Sequence, residues 1–189
     1  MTHVPSRFVV NRIAHRLRGV RFVASPNFNA RPAADDISLL VIHSISLPPD
    51  CFGGPHVEQL FTNCLNPAEH PYFATIKDLK VSAHLFVARD GTVTQFVPFH
   101  RRAWHAGKSV FDGRKECNDY SIGIELEGSD NRRVESAQYK TLIGLTRALR
   151  RAYPLITPAR IVGHSDIAPG RKTDPGPQFD WERYRRAIS

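Results

Sequence analysis

Residues 38–42 read Ser-Leu-Leu-Val-Ile, and the four apolar side chains are consecutive. A strand with one wet face alternates apolar and polar residues; a strand covered on both faces need not. The run therefore predicts a central strand, buried front and back, ending at His43-Ser44. Such a strand needs neighbours at its sides and helices over its faces. Residues 120–127 read as another strand, with Ile122, Ile124 and Leu126 on one face and Gly123, Glu125 and Glu127 on the other. Residues 81–88 and 92–97 read as a hairpin around Arg89-Asp90-Gly91, and Ile161-Val162 as a short strand leading to His164. Over 136–151, Tyr139, Leu142, Ile143, Thr146 and Leu149 recur at helical spacing, with Ser136 placed as the cap. Shorter helices are expected at 57–61 and 181–188. The fold class predicted is α/β: a single domain over 1–189 with a mixed central β-sheet flanked by helices. Residues 1–36, arginine-rich and then turn-rich, read as an N-terminal arm; 66–72 and 102–117 read as loops.

The net charge of +8 raises the question of nucleic acid. The basic residues gather at 7–21, 147–151 and 183–186, without zinc-finger spacing or an RNA-recognition aromatic signature. That distribution argues against a nucleic-acid partner and suits an anionic small molecule equally well. No stretch approaches the ~18 apolar residues of a membrane span. Arginines interrupt every apolar run near the N-terminus, so no secretory signal is expected. The three cysteines, Cys51, Cys64 and Cys117, are scattered and unpaired in spacing. A reducing, cytoplasmic setting follows as the expectation.

The chemistry concentrates in 164–177, His-Ser-Asp-Ile-Ala-Pro-Gly-Arg-Lys-Thr-Asp-Pro-Gly-Pro. Its prolines and glycines predict a non-helical segment. In an extended backbone Lys172 and Asp174, two apart, would present their head groups to one point. A catalytic zinc site takes three protein ligands and a water. His43 and His164 at strand ends, with Asp174, have the right types. His84 and His105 compete with them, each as ligand, substrate contact or core histidine. His3, His15 and His100 read as surface residues, and His56 and His70 as loop residues. Glu125 and Glu127 share a polar strand face, and either could move protons if partly desolvated. Alternation does not choose between them. Lys172 could stabilise an oxyanion, or stand in water as most lysines do.

The chain resembles the AmpD-type N-acetylmuramyl-L-alanine amidases. The blocks that carry the likeness are Ser38–His43, Ile45-Ser-Leu-Pro-Pro49, His70-Pro-Tyr-Phe73, Val81-Ser-Ala-His84, Arg102-Ala-Trp-His-Ala-Gly107, Cys117-Asn-Asp119, 121–128 and 164–177. They run in one order over roughly residues 25–184. The resemblance implies one zinc ion held by His43, His164 and Asp174. It implies that Glu125 rather than Glu127 handles protons, that Lys172 faces the oxyanion, and that Tyr72 and Trp104 line the substrate cleft. Related phage amidases and peptidoglycan recognition proteins carry a tyrosine at the position of Ala83, so the proton work falls to Glu125. Ser44, Lys80 and Glu116 depart from the residues of close relatives, and Glu116 reverses a charge. The implied reaction is hydrolysis of 1,6-anhydro-N-acetylmuramyl peptide between the lactyl group and L-alanine, in cytoplasmic peptidoglycan recycling. The implied partner is this small molecule alone, with no nucleic acid or membrane, and the chain is expected as a monomer. The rival readings are an amidase of intact peptidoglycan and a non-catalytic peptidoglycan-binding module.

Overall fold

The computed structural model describes residues 8–189; His3 and the first seven residues of the arm lie outside them. The Leu39–Ile45 strand lies inside a six-stranded sheet. Across the sheet the order is Ile161–Gly163, Leu39–Ile45, Ser121–Glu127, Leu85–Val87, Val93–Gln95 and Arg21–Phe22. The first four strands are mutually parallel, and the Leu85–Val87 and Val93–Gln95 pair is antiparallel, so the sheet is mixed.

Both faces of the central strand are covered, which is why its sequence does not alternate. Leu40 and Ile42 share one core with Ile122, Ile124 and Leu126 and with Tyr139, Leu142, Leu145 and Leu149 of the Ser136–Ala152 helix. Leu39 and Val41 share another with Ala106, Tyr120, Val162 and Ile167. A third cluster gathers around Leu60, Phe61, Phe73 and Phe96. The Trp181–Ile188 helix docks on the long helix, where the Thr146 and Tyr184 hydroxyls meet at 2.6 Å in the core.

Several local expectations are corrected. Glu135, not Ser136, precedes the long helix as its cap residue, and its N–H donates to Gln138 Oε1 at 3.0 Å. Gln138 stands at the third helical position, where such a back-bond can form. The described part of the expected arm, residues 8–36, joins the fold. Its Arg21–Phe22 pair extends the central sheet, and Phe28–Ala30 pairs with Arg101–Ala103. Arg31 is buried and donates to the carbonyls of Phe99, Asn118, Asp119 and Ser121, an anchor worth more than surface charge. A short helix, Pro71–Thr75, stands at the end of the expected 66–72 loop, with His70 capping it through Nδ1. The expected 102–117 loop holds a small ladder, Val110–Phe111 on Arg114–Lys115. His164–Ile167 is one helical turn, because the prolines and glycines that forbid helix all come after it. The following residues form turns rather than extended chain, with Arg171 and Lys172 N–H groups both directed at the Ala168 carbonyl.

Candidate metal centre and cleft

The parallel register sets the site. Across adjacent strands His43 is paired with Glu125, and Gly163 with Ile42. His43, Glu125 and His164 therefore arrive together at the carboxyl ends of three neighbouring strands, where open sheets place their sites. Asp174 comes back to the same point because Ser165 N–H donates to its carbonyl at 2.9 Å.

The three donor atoms form a nearly equilateral triangle. His43 Nδ1 lies 3.0 Å from His164 Nδ1, and each is 3.1 Å from Asp174 Oδ2. Both histidines are buried and Asp174 is largely so. Among the described residues this is the one group of three or more such side chains with the spacing of a metal site. Donors around a tetrahedral ion with bonds of about 2.0–2.1 Å stand ~3.3 Å apart, so little adjustment is needed. Two imidazoles and a carboxylate are also the donor chemistry that a catalytic zinc takes. The residues fit such an ion.

Electrostatics follow from burial and from these contacts. Burial pushes His43 down to about 4, although the Asp174 carboxylate pulls the other way. It is therefore neutral and able to ligate. Burial pushes Asp174 up, but the His164 and His43 rings, each 3.1 Å from Oδ2, outweigh it and hold the carboxyl well below the usual range.

Glu125 and Glu127 have different surroundings. Glu127 Oε1 accepts from Gly53 N–H, and Oε2 from Arg89 N–H at 3.0 Å, so its carboxylate ties two loops to the strand. Glu125 Oε1 lies 4.0 Å from His43 Nδ1, and its buried Oε2 has no protein partner. Burial, then the Asp174 charge, raise the Glu125 carboxyl well above the ordinary carboxylate range, and Lys172 opposes them. Glu125 opens into a cleft of about 600 Å³ whose walls include Tyr72, Trp104, Arg171, Lys172 and Asp174. Lys172 is exposed there. Tyr72 is part-exposed, and Trp104 is held by a 3.1 Å bond from Nε1 to Asn29 Oδ1.

The remaining histidines separate by their partners. His84 Nδ1 accepts from Gly123 N–H at 3.1 Å, which leaves Nε2–H to donate to the Arg101 carbonyl at 3.0 Å. It is a satisfied core histidine. His105 stands behind His43, its Nδ1 2.9 Å from His43 Nε2. His15 and His100, expected at the surface, are half-buried and pack ring to ring at 4.5 Å, with His15 Nδ1 3.1 Å from the Tyr153 hydroxyl. Lys80 is exposed, and Glu116 pairs with Arg102 at 3.6 Å from a left-handed backbone. Asn118, Ser121 and Arg171 support the site and escape sequence reasoning. Their partners are backbone groups and rings brought near only by folding.

Residues 33–177 match the N-acetylmuramoyl-L-alanine amidase family. The chain is 54% identical to the 1,6-anhydro-N-acetylmuramyl-L-alanine amidase AmpD of Escherichia coli strain K12, over 92% of this chain and 94% of that one. It superposes on a crystal structure of a selenomethionine derivative of AmpD with a TM-score of 0.92 at 50% identity, covering 96% of this chain and 99% of that one. It is also similar, at 30% identity and a TM-score of 0.60, to the E. coli amidase AmiD in complex with the substrate anhydro-N-acetylmuramic acid-L-Ala-D-γ-Glu-L-Lys, over 97% of this chain and 66% of that one.

Proposed function

The chain belongs to the N-acetylmuramoyl-L-alanine amidase family, and from that membership we propose that it acts in peptidoglycan recycling with one zinc ion at His43, His164 and Asp174. Its reaction is hydrolysis of the amide between the lactyl group of 1,6-anhydro-N-acetylmuramic acid and L-alanine. The observation that carries the mechanism is the convergence of the three donors beside a buried carboxylate oxygen with no protein partner.

When bound, zinc is a Lewis acid that makes water a nucleophile near neutral pH and polarises the carbonyl under attack. The other tasks belong to side chains. Glu125 Oε2 takes a proton from the attacking water and delivers one to the departing L-alanine nitrogen. Its desolvated setting keeps it able to hold that proton between the two transfers. Lys172, in the cleft wall, puts a positive charge beside the carbonyl oxygen as it becomes negative. Tyr72 and Trp104 offer flat faces on which the sugar and peptide can lie. Among the described residues no helix is long and apolar enough to cross a membrane.

The test is metal content together with product release. Purified protein is expected to hold one zinc per chain and to free the stem peptide from anhydro-muropeptide. Chelation should abolish turnover and added zinc restore it, while His43→Ala should lose both metal and activity. Full-rate release by chelated protein would exclude the mechanism. Faster turnover of insoluble sacculus than of anhydro-muropeptide would replace the substrate with intact peptidoglycan. Stoichiometric zinc without product would favour a binding module.

A further inference from the structure

We infer that His105 is a positioning residue that sets the tautomer of His43, while the backbone of Ala106 does the same for His164. One loop would then prepare both histidines to receive the metal. The inference rests on the reading that His43, His164 and Asp174 hold that ion. A neutral imidazole carries one N–H, and a metal takes the other nitrogen. Which nitrogen is free depends on what its ring partner meets.

For His164 the answer is direct. Its Nε2 lies 3.0 Å from the Ala106 carbonyl oxygen, which can only accept. The proton sits on Nε2, and Nδ1 turns a lone pair toward the other two donors. For His43 the partner is another imidazole, His105 Nδ1 at 2.9 Å, able to donate or accept. The far side of that ring permits the order that a metal needs. His105 Nε2 lies 3.2 Å from Ser121 Oγ, and a hydroxyl can accept. With its proton on Nε2, His105 accepts from His43 Nε2–H through Nδ1. His43 Nδ1 is then bare where the donors converge. The opposite order places a proton on His43 Nδ1, 3.0 Å from His164 Nδ1 and in the way of an ion.

The surroundings hold His105 in place. Its ring is buried against Gly123, where an added Cβ would come within 2.5 Å of His105 Cγ. Asn118 Oδ1 accepts from both His105 N–H at 3.1 Å and Ala106 N–H at 2.8 Å. Arg171 donates to the Ala106 carbonyl at 2.6 Å, joining this loop to the segment that carries Asp174.

The experiment measures zinc stoichiometry and affinity by chelator competition for wild type, His105→Leu and His105→Gln. Thermal unfolding of the metal-free proteins controls for folding, and imidazole 15N shifts of the zinc-loaded wild type read the tautomers. Expected are one zinc per chain and Nε2–H on both His43 and His164. His105→Leu should weaken zinc binding by about 10–100-fold. His105→Gln, whose amide oxygen can accept from His43 Nε2–H, should recover most of the loss. Ser121→Ala removes only the acceptor for His105 and should weaken binding in the same direction by less; it carries the comparison if His105→Leu does not fold. Wild-type affinity in folded His105→Leu, or in Ser121→Ala where the leucine variant does not fold, would overturn the inference, as would Nδ1–H on zinc-loaded His43. Those outcomes leave the metal reading standing. A wild-type protein that binds no zinc overturns that reading and the inference with it.

Discussion

Glu125 and Glu127 show how two identical side chains on one strand face come to different work. Glu127 is spent on the N–H groups of Gly53 and Arg89, while Glu125 keeps a buried oxygen free beside His43. Glu125→Gln preserves shape and removes the proposed proton carrier. It should lower kcat by about a hundredfold to ten-thousandfold and leave metal content unchanged, as steady-state kinetics and metal analysis would reveal. Lys172 shares the cleft with Glu125, and its charge opposes the upward shift of that carboxyl. Lys172→Met should cost about a hundredfold in kcat with little change in KM, because the charge it is proposed to answer develops only during reaction. An unchanged kcat would remove Lys172 from the mechanism.

Elements meet at the site through backbone as much as through side chains. The Ser121–Glu127 strand carries Glu125, and two residues earlier its Gly123 leaves room for the His105 ring. This glycine is needed for space and not for an unusual backbone angle. Gly123→Ala should destabilise the protein by about 1–3 kcal/mol, since the ring and strand cannot both stay where they are. If His105 is displaced, zinc affinity should fall in the same variant. Denaturant unfolding and chelator competition on one preparation would read both effects. Native stability would mean that the loop moves aside freely. The 164–177 segment works similarly: one helical turn presents His164, turns expose Lys172, and a backbone bond from Ser165 returns Asp174.

At the scale of the whole molecule, parallel strands bring the carboxyl ends of distant segments to one end of the sheet, and a buried polar layer lies beneath it. His84 belongs to that layer. Burial, with the Arg31 guanidinium close by, pushes it down to about 3, against 6.5 for an ordinary histidine. The unfolded chain therefore binds a proton at His84 across the interval that the folded protein refuses. This contribution to stability is complete above about pH 6.5 and is lost as pH falls from there toward 3. Unfolding free energy should drop on acidification from pH 7.5 to 5, and His84→Gln should flatten the slope by up to one proton, as denaturant titrations at several pH values would show. Much of this organisation is legible in the chain itself. The unbroken run at 39–42, the alternation at 121–127 and the helical spacing after Ser136 are local periodicities, and each marks which faces must be buried. They suffice for a mixed sheet flanked by helices. Residue types and blocks in order also nominate His43, His164, Asp174, Glu125 and Lys172. The strand inside the expected arm is not legible because a tertiary pairing decides it, and the helices at 164–167 and 71–75 are too short for a helical period to mark them. The rest is a matter of register and proximity. Pairing His43 with Glu125, separating Glu125 from Glu127, and placing His105 behind His43 depend on groups tens of residues apart along the chain. No spacing in sequence encodes those distances. The packing of strands, loop and helix does, because the sheet's hydrogen-bond register fixes which side chains become neighbours.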